Sequence, residues 1–579
     1  MDGGGGDGLG PVCTDCMPTV PMKLLLPSQN GVKLWTAPTM EKVLREAPLP
    51  MSLSSSIQLY AAKNEYEAFQ FVVRPDARET VSITMSALTG PGTIPLANIE
   101  IRRVGYVQVA VPSDDSAIVS AAGIIPDPLE LTSFGTPDTL TGNINQPYWI
   151  TVRVPPDASA GDYTATLNVT SASGSQDIPI KLHVYNFALP AQIGFDGNWN
   201  ANFAALGGNS SPQAAQQLKD FFFAHRLTPS AVAYPAGLNY DGGIMYDCNG
   251  NFQENKSDPN DFSNLGIKYI DGVGWNGAGF PSFQIMQYVD AKTPRPDTFC
   301  GVPRGPDAYG TPAYNAKWTQ LLSTINSYLG THGGYQKKGY YYVQSQPQGQ
   351  ADYDLAAYLA NLTKTAAPNL RIAIGEEPKP EIAENAKAMG HSWDLWFGSP
   401  AQFEPNYAKT RQQKGETLFW SFLPSDAPPV FNPITLDHPG IESRVAFWAA
   451  WKYRIKGFAY YSVTGWGADP YNNPRPSGSS QNGDGFLLYP MKSGNLVTSI
   501  RWELLREGAE DFEYLLLASA NGLPQTPDTA ALVDTSVQSA VTSLSMYVKN
   551  PDALQNLRNQ LGLRIEGKVN GFPTLSSSQ

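Results

Sequence analysis

The chain has 579 residues, a formal net charge of −12 and only 16% charged residues, against roughly 25% in an ordinary globular protein. Its basic residues are scattered and no apolar run reaches the roughly 20 residues of a membrane-spanning helix, so nucleic acid is excluded as a partner and no membrane span is expected. The length suits two or three domains. With 53 glycines, 48 prolines, 12 tryptophans and 28 tyrosines, the composition suits a loop-rich exported protein that handles sugars, whose apolar CH faces stack on amphipathic rings.

The opening, MDGGGGDGLGPVCTDC, lacks the apolar core of a signal peptide and reads as a flexible tail over residues 1–20. An extracellular or periplasmic location is therefore an expectation from composition, with the leader absent from this chain. Cys13 and Cys16 have no second pair at zinc-finger spacing, whereas Cys248 and Cys300 lie in loop-like surroundings and suit a disulfide in an exported protein. Residues 21–190 predict an all-β domain. Runs of β-branched and aromatic residues at 32–38, 56–62, 67–74, 81–88, 99–111, 148–154, 163–169 and 178–187 alternate with turn signals, the pattern of a two-sheet β-sandwich.

From about 191 to 517 the pattern changes to strands alternating with helices. Strand-like runs at 230–235, 339–344, 371–375, 393–397, 417–423 and 457–463 alternate with helical stretches near 212–227, 312–330, 352–366, 402–414, 441–455 and 498–517. This alternation predicts a (β/α)8 TIM-like barrel, with its missing strands or long insertions between 236 and 310. Residues 518–579 predict a short helical C-terminal segment at 529–548 and 551–563. The fold class is thus multidomain, β followed by α/β.

The densest charge lies on the helix near 498–517, where Arg501, Glu503, Arg506, Glu507, Glu510 and Asp511 oppose an apolar face. Taken alone, such a helix reads as a surface element with solvated ion pairs. Together with the preceding Asn482-Gly483-Asp484-Gly485, however, this stretch resembles the end of the catalytic domain of glycoside hydrolase family 123. The segments Leu34-Trp35, 64–70 and 145–149 resemble the domain that precedes it. The resemblance implies a carbohydrate substrate, N-acetylhexosamine among the candidates, no cofactor, and a retaining mechanism in which the substrate's acetamide is the nucleophile. In that family an adjacent Asp-Glu pair at a strand end orients the acetamide and protonates the leaving oxygen.

Active sites of such barrels lie at the carboxyl ends of the strands. The positions matching the Asp-Glu pair are Ser345 and Gln346, following the strand that contains Tyr342. Neither side chain carries a titrating carboxyl. Three explanations fit: an introduced replacement, a relative that binds sugar without cleaving it, or a glycosidase whose acids have moved to Glu376 and Glu377, one strand further on. Adjacent carboxylates push one pKa upward, as a general acid requires, although Lys379 and Glu381 also suit an ordinary charged helix start. Trp420, Tyr460, Tyr461 and Trp466 at two strand ends are candidate walls of a sugar pocket, and Asp484 a candidate grip on sugar hydroxyls. Asp437, His438 and Glu442 suit either a cap on the following helix or the pocket lining, with the cap favoured. The histidines show no metal-ligand spacing, so no metal is expected. The oligomeric state is not legible.

Overall fold

The computed structural model describes residues 9–16, 19–201, 214–233, 240–241, 244–285, 295–388, 390–426, 428–476, 478–492, 495–519 and 521–576. The N-terminal part forms two facing sheets. One contains Val32–Ala37, Glu65–Pro75, Ile99–Val109, Gly123–Thr132 and Gln146–Val154; the other contains Ile57–Lys63, Glu79–Met85, Gly161–Ser171 and Gly174–Ala188. Alternation builds the layer between them: Tyr163, Ala165, Leu167 and Val169 point inward while their neighbours face outward. Leu34, Phe71 and Ile150 of one sheet meet Ile83, Leu167 and Ile180 of the other in a single apolar cluster.

The second part is a nearly closed, wholly parallel barrel of seven strands. In chain order these are Asp196–Trp199, Phe283–Gln284, Gly339–Ser345, Arg371–Gly375, Leu395–Gly398, Thr417–Ser421 and Gly457–Tyr460. The gap between the first two is bridged by residues 228–230: Trp199 N donates to Thr228 O, Ser230 N to Trp199 O, and Gln284 N to Ser230 O. The lumen is filled by Tyr340, Ala373, Leu395, Phe397, Phe419 and Ala459.

Several expectations change. The strand at 196–199 lies ahead of the first strand-like run expected, at 230–235. The region 236–310 holds a small antiparallel sheet (Tyr240–Asp241, Ile244–Tyr246 and Phe252–Gln253) and a two-stranded hairpin, Thr298–Phe299 with Val302–Pro303, besides the barrel strand at 283–284. The disulfide Cys248–Cys300 joins the sheet's turn to the hairpin, and a second disulfide closes Cys13–Cys16. The described part of the opening segment does not run free: Cys13 N donates to Phe572 O and Phe572 N to Pro11 O. After the barrel, helices form at Asp534–Ala540 and Pro551–Glu566, the first much shorter than the 529–548 expected.

The charged helix is the largest departure. Ile500–Ala518 is buried from Ile500 to Leu515, so its charged face is no solvated surface. It lies between the two parts of the molecule. Its charges meet partners remote in sequence, because a desolvated charge is tolerated only when paired or hydrogen-bonded. Arg501 Nη2 lies 2.9 Å from Asp127 Oδ2, Arg444 Nη2 2.6 Å from Asp511 Oδ1, and Tyr66 N donates to Glu510 Oε1 at 3.0 Å. Gly508 allows the Ile441–Tyr453 helix to approach, since a Cβ there would sit 2.3 Å from the Phe447 ring. The preceding strand, Asn495–Ser499, pairs antiparallel with Gly123–Thr132 and so extends a sheet of the N-terminal part.

Asp437 and His438 do not cap the following helix, whose N-terminal residue Gly440 has no side-chain cap. They bind a loop of the N-terminal part. Asp437 accepts from Ser113 N and Oγ at 2.8 and 2.6 Å, and His438 bridges Asp114 and Glu442 at 2.9 and 3.0 Å.

Two outcomes are expected. Asp127→Ala leaves the Arg501 guanidinium buried without its counter-charge and should cost about 3–5 kcal/mol of unfolding free energy, measured by urea denaturation. Burial alone would lower the His438 pKa, but its two carboxylate partners hold it up to about 9. Its contribution is therefore complete below the free-histidine pKa of about 6.5 and is lost as pH rises through 9. The melting temperature should fall between pH 6.5 and pH 9, and His438→Gln should flatten that fall.

Candidate functional site

A cleft of 640 Å³ opens at the carboxyl ends of the barrel strands. Its lining includes Asn198, Asn200, Ser230, Gln284, Tyr342, Ser345, Gln346, Glu376, Glu377, Phe397, Ser399, Ser421, Tyr460 and Tyr461. Amides and hydroxyls predominate, groups that both donate and accept and so match sugar hydroxyls. Among the described residues no group of three or more His, Cys, Asp or Glu could hold a metal ion.

The strand Gly339–Ser345 carries a register shift between Tyr342 and Gln344. Tyr340 and Tyr342 point into the barrel before this shift, and Ser345 faces the cleft after it. Gln346 adopts a left-handed conformation (φ 47°) that ends the strand; it is exposed, and its N–H donates to Gly375 O at 2.7 Å. The Tyr342 hydroxyl lies over Gly375, where a Cβ would come within 1.8 Å of it, and the Tyr342 ring packs 5.3 Å from Phe397. Gly398 serves the next strand in the same way, since a Cβ there would meet the Glu377 Cα at 2.6 Å.

Glu376 and Glu377 follow Gly375 and are both 6% exposed. Lys379 Nζ lies 2.7 Å from Glu376 Oε1 and 3.0 Å from Glu377 Oε1. Burial and the hydrogen-bonded Glu377 carboxyl outweigh this ammonium and push Glu376 up to about 7. Behind them Asp426 is 1% exposed. Burial, with a smaller contribution from the charge of Glu377, pushes it up to about 6, although it accepts hydrogen bonds from Ser399 Oγ and Leu423 N.

The structure gathers Tyr342, Ser345, Gln346, Glu376, Glu377, Tyr460 and Tyr461 at the cleft and removes three candidates from its lining. Trp420 is 1% exposed and points outward, packing with Phe403, Phe431, Tyr453 and Phe458. Strand parity decides this: Phe419 fills the lumen, so Trp420 must face the helices. Trp466 packs against the apolar cluster of Val107, Val109, Ile125 and Phe486. Asp484 is 5% exposed and accepts from the Tyr460 hydroxyl at 3.0 Å, while Gly485 N donates to that hydroxyl at 2.5 Å. Asp484 also hydrogen-bonds Tyr461, so it holds two cleft tyrosines instead of meeting solvent. Asn198, Gln284 and Asp426 escaped the sequence reading, the first two because their strands are four and two residues long.

A parallel barrel with a polar, carboxylate-bearing cleft at its strand ends is an architecture of many glycan hydrolases. The catalytic-domain model of glycoside hydrolase family 123 matches residues 282–518, and the family's N-terminal domain model matches residues 41–171. By these two domains, matched over more than half of its length, the chain belongs to glycoside hydrolase family 123. A family 123 glycoside hydrolase from Clostridium perfringens, described for glycolipid glycan hydrolysis, superposes with a TM-score of 0.64 at 16% identity, covering 93% of this chain and 97% of that one. An endo-β-1,4-mannanase from Thermotoga petrophila aligns at 14% identity over 55% of this chain and 77% of its own, with a TM-score of 0.31. Comparison with curated protein sequences gave no match.

Gly375→Ala should destabilise the fold by roughly 1–3 kcal/mol through overpacking against Tyr342. Adding Tyr342→Ala should relieve most of that cost in a double-mutant cycle read by urea unfolding.

Proposed function

We propose that this chain is a glycosidase that releases a β-linked N-acetylhexosamine by a substrate-assisted route, with Glu376 and Glu377 as its acid pair. The observation that carries this reading is the contact between two buried carboxyls in the cleft, one of them pushed up to about 7. A general acid must hold its proton near working pH, and an adjacent carboxylate maintains that state.

The geometry also favours one route over others. Two-carboxylate glycosidases space their acids at roughly 5–5.5 Å when retaining and roughly 6.5–9.5 Å when inverting. Hydrogen-bonded neighbours meet neither requirement and leave the nucleophile to the substrate. In this scheme the acetamide oxygen attacks the anomeric carbon, the glycosidic bond breaks, and the Glu376 proton passes to the leaving oxygen. The Glu377 carboxylate offsets the positive charge of the oxazolinium that forms. Water then attacks the anomeric carbon, its proton returns to Glu376, and the acetamide is restored. Ser345 and Gln346 hold substrate by hydrogen bonds in place of the family's carboxylates. Export belongs to the same reading, supported by the two disulfides.

The absence of a carboxylate at Ser345 and Gln346 favours a second reading, sugar binding without turnover. Hydrolysis of aryl N-acetyl-β-galactosaminide and N-acetyl-β-glucosaminide separates the two. Turnover by the unaltered chain, reduced about 10²–10⁴-fold in Glu376→Gln, is expected. Activity only in the Ser345→Asp, Gln346→Glu double variant would place the acids at those positions and overturn the assignment to Glu376 and Glu377.

A further inference from the structure

The acid pair is joined by a third charged group whose position is fixed by the chain. Glu376-Glu377-Pro378-Lys379-Pro380 links the end of the strand Arg371–Gly375 to the helix Pro380–Ala388. Each proline fixes its own φ near −65° and confines the preceding residue to extended backbone, so Glu377 and Lys379 are both restrained. The lysine head therefore reaches the two carboxyls from a stiff loop, at 2.7 and 3.0 Å. Among the described residues Lys379 is the only cation in salt-bridge contact with either glutamate. The other titrating groups at the pair are Asp426, on which the charge of Glu377 acts, and the Tyr342 hydroxyl over Gly375.

We infer that Lys379 is a positioning residue of the reaction, holding the Glu376–Glu377 pair in a state with one proton and one negative charge. The inference rests on the reading of these glutamates as the acid pair. Two touching buried carboxylates without a cation hold their shared proton to higher pH than the same pair beside one, because the second ionisation places like charges in contact. An acid that cannot release its proton cannot take one from water in the second half of the reaction. One ammonium shared by both oxygens offsets that repulsion and brings the proton exchange back to the neutral range. It also tethers both side chains to one point, fixing which carboxyl faces the leaving oxygen. The charges balance: with Lys379 the pair is neutral before the acid step and carries one net negative charge after it.

The test compares Lys379→Met and Lys379→Arg with the parent by infrared pH titration. The protonated carboxyl band is assigned as the one lost in Glu376→Gln, so the readout does not require turnover. In Lys379→Met the midpoint of that band should rise by roughly 1–3 pH units, the range expected for an opposite charge at this distance. Lys379→Arg should restore the parent midpoint. Where the parent hydrolyses aryl glycosides, both limbs of the kcat profile should move alkaline in Lys379→Met while KM for these uncharged substrates stays within about twofold. A band with the same midpoint in Lys379→Met, in protein whose melting temperature shows it folded, would overturn the inference. Full activity in Glu376→Gln would instead remove the acid-pair reading beneath it, a different result from a stationary band.

Discussion

The contact between Arg501 and Asp127 connects the two parts of the molecule and, through them, one wall of the cleft. Asp127 lies on the strand Gly123–Thr132 and also accepts the Tyr489 hydroxyl at 2.7 Å. Besides contacting Asp127, the guanidinium donates to the Ile434 and Gly483 carbonyls at 2.5 and 3.1 Å. A planar fork with five donors suits this role in a way a lysine would not, because it satisfies partners in several directions at once. Gly483 has a left-handed φ of 81°, and a Cβ there would sit 2.6 Å from Arg501 Nη1. The next residue is Asp484, whose carboxylate holds Tyr460 and Tyr461. The N-terminal sheets are thereby connected to the cleft by hydrogen bonds and the single peptide link between Gly483 and Asp484.

The same logic governs the rest of the helix Ile500–Ala518. Glu507 accepts from Thr39 Oγ1 at 2.7 Å, and Glu513 accepts from Gly194 N at 2.7 Å. Glu503 is held well below the usual carboxylate range: burial opposes its charge, but Arg506 and His225 overcome that. Apart from Arg506, one turn along the same helix, each of these partners comes from a segment hundreds of residues away. Helical periodicity could therefore identify the element, its apolar face and its charges, but not the surface that would cover them. A polar face is solvent-facing only if nothing with matching charge folds onto it, and that condition is tertiary.

Strands were legible where they are apolar and long enough to show a pattern. Tyr340 to Val343, Arg371 to Ile374 and Phe458 to Tyr460 announce themselves by aromatic and β-branched content. Asp196-Gly197-Asn198-Trp199 does not, because its polar residues, Asp196 half-buried and Asn198 buried, are satisfied by remote groups: Ser282 Oγ donates to Asp196 at 2.8 Å, and Asn198 Nδ2 to Gln284 Oε1 at 3.1 Å. At the site, composition misled where parity would have served. Ser421 faces the cleft and Phe419 the lumen, so Trp420 between them belongs to the outer layer. Trp420 has the side-chain type of a pocket wall but the strand position of an outward-facing residue.

The register of two neighbouring strands bears on how the proposed acid pair could do the work that the sequence resemblance assigns to positions 345 and 346. Ser345 pairs with Gly375 in the parallel ladder, and Gln346 N donates to Gly375 O. Gln346 and Glu376 are therefore the residues that immediately follow a matched pair, on strands roughly 4.8 Å apart. Transferring an acid from one to the other moves it by a single strand spacing within the same cleft. The surrounding groups follow the new position: the Tyr342 hydroxyl lies over Gly375, and Gly398 makes room for the Glu377 backbone. A strand-end cleft is shared by every strand that opens into it, so barrel geometry ties the proton donor to a ring of adjacent positions and not to one residue number. Under the proposed assignment, hydrolysis in this fold needs no carboxylate at 345 or 346, because a neighbouring strand end carries the buried pair Glu376 and Glu377 with Lys379 as its charge partner.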